Sequence, residues 1–230
     1  MREIIFDTET TGFDHQGDDR MVEIGCIEMV DRMMTGETYH CYYNPERAMP
    51  EGAQKVHGLS DTFLSDKPRF KSKVSELLEF IGDSPLIAHN AAFDFGFLNR
   101  ELARIDMEPV SLDRMIDTVA IARSKHPGAK LSLDALCTRY GIDRSHRVKH
   151  GALLDAELLA HVYIELTGGR QIGFGLDTDD SIAAATGDPD AAPTDRPFRR
   201  ARPQRVTEDE LARHAAFIAD IDGAIWNSNR

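Results

Sequence analysis

The alternation of apolar and polar positions predicts strands first. Residues 3–6 are a short, mostly apolar and β-branched run, and residues 21–30 are a longer run of mostly apolar residues. Each run is typical of a buried strand. A turn at Asp31–Arg32 leads to a third strand, because residues 38–43 have strong β-propensity. We therefore expect an antiparallel meander near the start of the chain.

Helical spacing takes over after a loop that contains Pro45 and Pro50. Apolar residues at i, i+3, i+4 and i+7 predict an amphipathic helix over residues 71–81, and a short strand is expected at 86–88. Further helices are predicted over residues 91–102, 113–124, 133–140 and 152–166. Early strands followed by alternating helices predict an α/β fold with a mixed central sheet.

The amino-acid composition changes after the last of these predicted helices. Residues 177–195 contain six aspartates and neither Lys nor Arg, whereas residues 196–205 contain five arginines and no acid. Such blocks are typical of an unpacked tail, so we predict a flexible linker over residues 170–206 behind a domain of residues 1–169. A capping box at the start of residues 207–230 then predicts a short C-terminal helix.

Charge and cysteine content narrow the functional class. The net charge of −12 argues against holding nucleic acid by bulk electrostatics, but an enzyme that meets nucleic acid through metal ions stays compatible with it. Three cysteines without paired spacing favour a reducing, cytoplasmic setting. No apolar run approaches the ~18 residues of a membrane span, so no membrane partner is expected.

Two carboxylates follow the first predicted strand. Asp7 and Glu9 are two residues apart, so on a strand they project from the same face. Neighbouring carboxylates repel each other and are costly to bury, and a divalent cation would relieve both problems. The alternative is an ordinary N-terminal strand that ends in a polar turn at Thr11–Gly12.

Further acids occupy matching places later in the chain. Asp94 is expected in the first turn of a helix that follows a strand. Five residues of helix turn through about 500°, so His150 and Asp155 can converge only if His150 lies in the preceding loop. The alternative for this histidine is a solvent-exposed position in a basic loop.

These segments carry a resemblance to a known family. Asp7-Thr-Glu9, His89-Asn90-Ala-Ala-Phe-Asp94 and His150-x-Ala-x-x-Asp155 occur in the order of the three exonuclease motifs of the DEDD 3′–5′ exonucleases, His subtype. The resemblance covers residues 1–166. It implies a ribonuclease-H-like fold in which the metal-binding carboxylates are Asp7, Glu9, Asp94 and Asp155.

Physical chemistry assigns roles to these residues. Two Mg²⁺ or Mn²⁺ ions about 3.5–4 Å apart clamp the attacking and leaving oxygens of a phosphodiester, and hard cations of this kind prefer oxygen ligands. His150, with an ordinary pKa near ~6.5, is suited to act as the general base, and the alternative is a histidine that only binds phosphate. By resemblance, the residues that contact the substrate are Asp7, Glu9, Thr10, His57, Asn90 and Asp155. Asp117 and Thr118 are expected to play a supporting or structural part.

The tail resembles the epsilon-subunit family of bacterial DNA polymerase III. Gln171, Phe174 and Leu176 stand where that family carries a motif for the sliding clamp, although the apolar anchors differ from the usual ones. Residues 207–230 resemble its segment that binds the catalytic (alpha) subunit, and the small theta subunit is a further implied partner. The alternatives are an incidental glycine-rich linker and a helix that folds back on its own body.

The resemblance implies a proofreading 3′–5′ exonuclease whose substrate is the 3′ end of DNA. An RNA-trimming exonuclease of the same superfamily is one alternative, because the core motifs do not separate RNA from DNA. A non-catalytic replication adaptor is the other, and it has no need of four acids and a histidine.

Overall fold

The computed structural model describes residues 1–147, 149–168 and 207–221. The chain divides into two compact units, Met1–Phe174 and Gly175–Arg230. The first unit contains a five-stranded sheet in the order β3-β2-β1-β4-β5. Its strands are β1 (Arg2–Thr10), β2 (Met21–Val30), β3 (Met33–Tyr42), β4 (Leu86–Ala88) and β5 (Met115–Asp117).

The sheet is mixed, as predicted. Strands β1, β2 and β3 form the expected antiparallel meander, whereas β4 is parallel to β1 and β5 is parallel to β4. Asp31 and Arg32 both have positive φ angles, 50° and 65°, which is the backbone of a tight two-residue hairpin turn. Because this turn brings the strands together at once, β3 begins at Met33, earlier than the residue 38 that propensity alone indicated.

The helices largely follow the predicted pattern. In the first unit they are α1 (Glu51–His57), α2 (Asp61–Leu64), α3 (Phe70–Ile81), α4 (Ala91–Ala103), α5 (Thr118–Lys125), α6 (Leu133–Tyr140) and α7 (Ala152–Leu166). The short helices α1 and α2 were not predicted. The helix expected over residues 113–124 was wrong in its first half, because Met115–Asp117 pairs with β4 and only Thr118–Lys125 is α-helical.

Hydrophobic cores cover both faces of the sheet. Ile4 and Phe6 of β1 pack with residues of α3 and α4 on one face. Ile5, which points the opposite way, packs with residues of α6 and α7 on the other. The two-residue alternation of β1 therefore places Asp7 and Glu9 on the α7 side and Thr8 on the α4 side.

A glycine of β2 lets α7 approach the sheet closely. Gly25 pairs with Asp7 across the sheet, and a Cβ atom at Gly25 would lie 2.3 Å from the backbone of Leu153. Any larger residue would push the first turn of α7 away. This contact brings Asp155, in that turn, towards the carboxylates of β1.

In the second unit the structure describes one helix, α8 (Glu208–Ala219). Its predicted capping box is confirmed, because Thr207 and Glu210 exchange side-chain-to-backbone hydrogen bonds. The helix ends at Ala219, and residues 222–230, which include Trp226, lie outside the described residues. The predicted linker and the segment with Gln171, Phe174 and Leu176 also lie outside them. Among the described helices, none has the length and apolar character needed to cross a membrane.

Candidate active site

A cavity of about 690 Å³ opens where β1 ends and where α4 and α7 begin. Asp7 and Glu9 reach it from β1. Asp94 and Asp155 reach it from the first turns of their helices, and both are buried. The structure therefore brings together all four carboxylates that the sequence singled out.

Burial and the charges of neighbouring carboxylates disfavour the charged forms of three of these acids, Asp7, Glu9 and Asp94. Burial, followed by the charges of the neighbouring carboxylates, raises the pKa of Glu9 from 4.5 to about 8. Burial, only partly offset by hydrogen bonding, raises the pKa of Asp94 from 3.8 to about 7, and the pKa of Asp7 is raised for the same reason as that of Glu9. Without a cation, the cluster consequently retains protons that isolated carboxylates would have lost.

The donor atoms suit a divalent metal. One ligand atom each from Glu9, His150 and Asp155 can be chosen so that all three lie within 4.8 Å of one another. Carboxylate oxygens dominate the set, which favours a hard cation such as Mg²⁺ or Mn²⁺ over a soft one. A cation there would also relieve the repulsion that raises the pKa values. The residues present thus fit the metal ions that the sequence motifs imply.

His150 lies in the loop before α7, as the spacing predicted. Its side chain is 49% exposed, and Nδ1 lies 3.2 Å from Oδ2 of Asp155. The backbone N–H of His150 donates to the carbonyl of Val56 over 3.4 Å, which connects this loop to the end of α1. The imidazole is accordingly beside the carboxylates and within reach of water.

Arg147 also lies in the site, although no motif predicted a role for it. Its Nε and Nη2 donate to the two carboxylate oxygens of Asp155 at 2.5 and 2.7 Å. Nη1 donates to Oδ1 of Asp134 at 2.7 Å, and Nη2 lies 2.9 Å from Nδ1 of His150. The sequence signal was weak, since Arg147 is one of several basic residues in this loop.

Two further polar residues lie beside the carboxylates. The hydroxyl of Thr8 donates to Oδ1 of Asp94 at 2.7 Å, which fixes that carboxylate inside the cavity. Glu23 faces Glu9 across the β1–β2 pair, is buried, and lies 2.7 Å from Nε2 of His40. Glu23 could have been suspected as one of two glutamates, with Glu28, in an otherwise apolar strand, whereas Thr8 gave no separate signal.

Besides the carboxylates, two of the predicted substrate contacts, Thr10 and His57, line the cavity. Thr10 is buried there, and its hydroxyl donates to the carbonyl of Gly12 at 2.6 Å. His57 is buried as well, and its Nδ1 accepts a hydrogen bond from the backbone N–H of Leu59 at 3.0 Å. Nε2 must therefore carry the proton of the neutral ring, and it has no partner among the described residues.

Asn90, in contrast, does not line the cavity. It is exposed, has a φ angle of 64° and forms the turn between β4 and α4. Its backbone N–H donates to Oδ1 of Asp117 at 3.0 Å, and the same oxygen caps α5 through Val119. Asp117 thus stabilises the turn that presents Asp94, in line with the supporting part expected of it.

Aromatic side chains form part of the cavity wall. Phe13 is 87% exposed at the mouth, and its ring centroid lies 6.4 Å from that of Phe93. Phe93 in turn contacts the buried Phe97, with centroids 4.9 Å apart. An open, apolar surface next to a carboxylate cluster can accept the flat face of a base.

Several known proteins have sequences similar to that of this chain. The family described as Exonuclease (RNase_T) matches residues 4–163. The DNA polymerase III subunit epsilon of Rickettsia typhi is 48% identical over 225 residues, covering 96% of this chain and 97% of the relative. The protein of the same name from Escherichia coli (strain K12) is 40% identical and covers 94% of this chain and 92% of the relative.

Solved structures extend the likeness to the fold. Exonuclease X in complex with 5′ overhanging duplex DNA has a TM-score of 0.57 at 25% identity, covering 71% of this chain and 90% of that one. The nuclease domain of 3′hExo, a DEDDh family member bound to rAMP, has a TM-score of 0.63 at 15% identity, covering 72% and 91%. The matched domain, the cluster of acids and the full-length relatives together show that the chain belongs to the exonuclease family and, within it, to the epsilon subunits of bacterial DNA polymerase III.

Proposed function

We propose that this chain is a 3′–5′ DNA exonuclease that removes misincorporated nucleotides as the proofreading subunit of DNA polymerase III. The observation that carries the proposal is the meeting of four carboxylates and one accessible histidine in a single cavity. The similarity to epsilon subunits along almost the whole chain supports the replicative role.

Asp7, Glu9, Asp94 and Asp155 would hold two divalent cations, Mg²⁺ or Mn²⁺. When bound, such ions supply Lewis-acid stabilisation of the attacking and leaving oxygens of the phosphodiester. Contacts within the chain hold the proposed metal ligands in place. Thr8 orients Asp94, and the close contact at Gly25 positions the first turn of α7, which contains Asp155.

His150 acts as the general base that takes a proton from the attacking water. Its ring is exposed on one side and faces Asp155 on the other, so it can receive a proton beside the carboxylates and pass it to solvent. A neutral imidazole has a lone pair on one ring nitrogen, which can accept this proton.

Other residues bind the 3′-terminal nucleotide. The free Nε2–H of His57 is available to donate to a sugar or phosphate oxygen, and burial lowers the pKa of His57, which keeps the ring neutral. Thr10 shapes the same wall, and the Phe13–Phe93 surface receives a base. Asn90 contributes through its turn, because its side chain is outside the cavity.

The tail would connect the exonuclease to the replication machinery. Leu211 and Phe217 are exposed apolar residues on α8, so the segment 207–230 offers a surface to the alpha subunit. The segment 171–176 with Gln171, Phe174 and Leu176 is proposed to bind the sliding clamp, and the theta subunit is a third partner. Three free cysteines accord with work in the reducing cytoplasm.

The test is digestion of a 3′-labelled DNA primer that carries a terminal mismatch, in Mg²⁺ or Mn²⁺. Asp7→Asn and Asp155→Asn should reduce cleavage to background because each removes a proposed metal ligand. Asp113→Asn, on an exposed residue outside the cavity, is the matched control and should cleave normally. Normal cleavage by the first two variants or in excess EDTA would overturn the proposal, and faster trimming of the equivalent RNA would favour an exoribonuclease.

A further inference from the structure

The guanidinium of Arg147 is hydrogen-bonded to the carboxylate of Asp155, which is one of the proposed ligands for a cation. Both oxygens of Asp155 accept hydrogen bonds from this one side chain, at 2.5 and 2.7 Å. A carboxylate engaged in this two-point manner has two of its about four lone-pair positions filled, so a metal ion that binds both oxygens of Asp155 competes with the arginine and must displace it.

The positive charge of Arg147 makes its contact with Asp155 important for the electrostatics of the cavity. Arg147 is the only Lys or Arg that lines the cavity in the part of the chain that the structure describes. Its side chain is 9% exposed, so solvent screens the pairing with Asp155 little. One fixed positive charge therefore offsets part of the repulsion among the carboxylates before any cation binds.

A second anchor keeps Arg147 at the site after Asp155 is released. Nη1 is bound to Asp134, in the first turn of α6, and Nη2 lies beside His150. A guanidinium freed from Asp155 would stay at the cavity wall with unsatisfied N–H groups. Arginine binds phosphate by the same two-point geometry that it uses for carboxylate.

We propose that Arg147 is an internal counter-cation which a divalent metal displaces from Asp155 and which then binds a phosphate group of the substrate. This inference rests on the proposed function, because it assumes that the carboxylates bind metal. Each ligand relieves a cost for the other: the metal frees the guanidinium for phosphate, and the phosphate draws the guanidinium away from Asp155. Binding of metal and of nucleotide is therefore mutually enhancing, and the enhancement is equal in both directions.

The experiment measures Mn²⁺ binding to the full chain by the electron paramagnetic resonance signal of free Mn²⁺, with and without deoxyadenosine 5′-monophosphate. In the wild type, the mononucleotide should tighten Mn²⁺ binding severalfold. In Arg147→Met, Mn²⁺ should bind roughly tenfold tighter without nucleotide, since a charge-assisted contact no longer competes. The nucleotide should then add little.

Two other variants separate the contact from simple charge. Arg144→Met is the matched control, because Arg144 lies in the same loop and pairs with Asp134 at 2.9 Å but does not contact Asp155. It should retain wild-type Mn²⁺ affinity and the nucleotide effect. Arg147→Lys keeps the charge without the two-point geometry, so it should fall between the wild type and Arg147→Met. If circular dichroism shows that Arg147→Met is unfolded, Arg147→Lys is the variant that tests the inference.

The possible results discriminate clearly. Unchanged or weaker Mn²⁺ binding in folded Arg147→Met, or in Arg147→Lys if Arg147→Met is unfolded, would overturn the inference alone. Equal gains in Arg147→Met and Arg144→Met would also overturn it, because loss of net charge would then suffice. Failure of the wild type to bind Mn²⁺ at all would overturn the proposed function and the inference with it.

Discussion

The metal-free enzyme should become less stable as the pH rises, and Glu9→Gln should remove much of this loss. The pKa of Glu9 is raised from 4.5 to about 8, so between these values the folded protein holds a proton that the unfolded chain has released. A group of this kind stabilises the fold fully below its unfolded pKa, and the contribution is lost as the pH rises through the folded pKa. Glutamine stays neutral and has no such dependence.

The expected magnitude follows from the same burial. A pKa raised from 4.5 to about 8 corresponds to at most about 5 kcal/mol of lost stability at high pH. Water entry and reorientation of neighbouring groups reduce the free-energy cost of ionising a buried carboxylate. Buried sites therefore behave as if their effective dielectric constant were about 20. We therefore expect Glu9→Gln to exceed the wild type in free energy of unfolding by about 2 kcal/mol at pH 8, and to differ little at pH 4.5.

Urea denaturation in EDTA, followed by circular dichroism at both pH values, provides the measurement. Glu108→Gln is the control, because Glu108 is exposed and lies outside the cavity. Saturating Mg²⁺ should remove most of the wild-type loss at pH 8, since a cation neutralises the cluster. A Glu9→Gln variant that is no more stable than the wild type at pH 8, or equally stabilised at both pH values, would refute the reasoning.

Three further predictions concern catalysis, tethering and packing. His150→Ala should lower turnover on a single-stranded oligonucleotide about 10²–10⁴-fold, as loss of a general base does, and a loss of only a few-fold would assign the histidine to phosphate binding. A fragment of residues 1–170 should digest that oligonucleotide almost normally. A fragment of residues 171–230 should retain the polymerase alpha subunit in a pull-down, and binding by residues 1–170 instead of residues 171–230 would contradict tethering. Gly25→Ala should lower the thermal midpoint and the nuclease activity together, because its Cβ would lie 2.3 Å from the backbone of Leu153, and an unchanged melting curve would contradict this close contact.

The sequence by itself determined most of the local structure and the identity of the main chemical groups. The helices over Phe70–Ile81 and Leu133–Tyr140 lie where the sequence predicted them. Asp7 and Glu9 share a face because strand residues alternate, and His150 was placed in a loop because helical rotation excluded the other arrangement. Each of these conclusions depends on a few neighbouring residues, whose geometry is set by sterics and backbone hydrogen bonding.

Only the tertiary structure decided which distant groups meet. The pairing of β5 with β4 overrode a helical pattern over Met115–Asp117, and Asn90 fell outside the cavity although it lies four residues before Asp94. Arg147 gained its contacts because α6 and α7 place Asp134 and Asp155 on either side of it. A residue's spacing along the chain does not specify such contacts, because they arise only when elements far apart in sequence pack against one sheet.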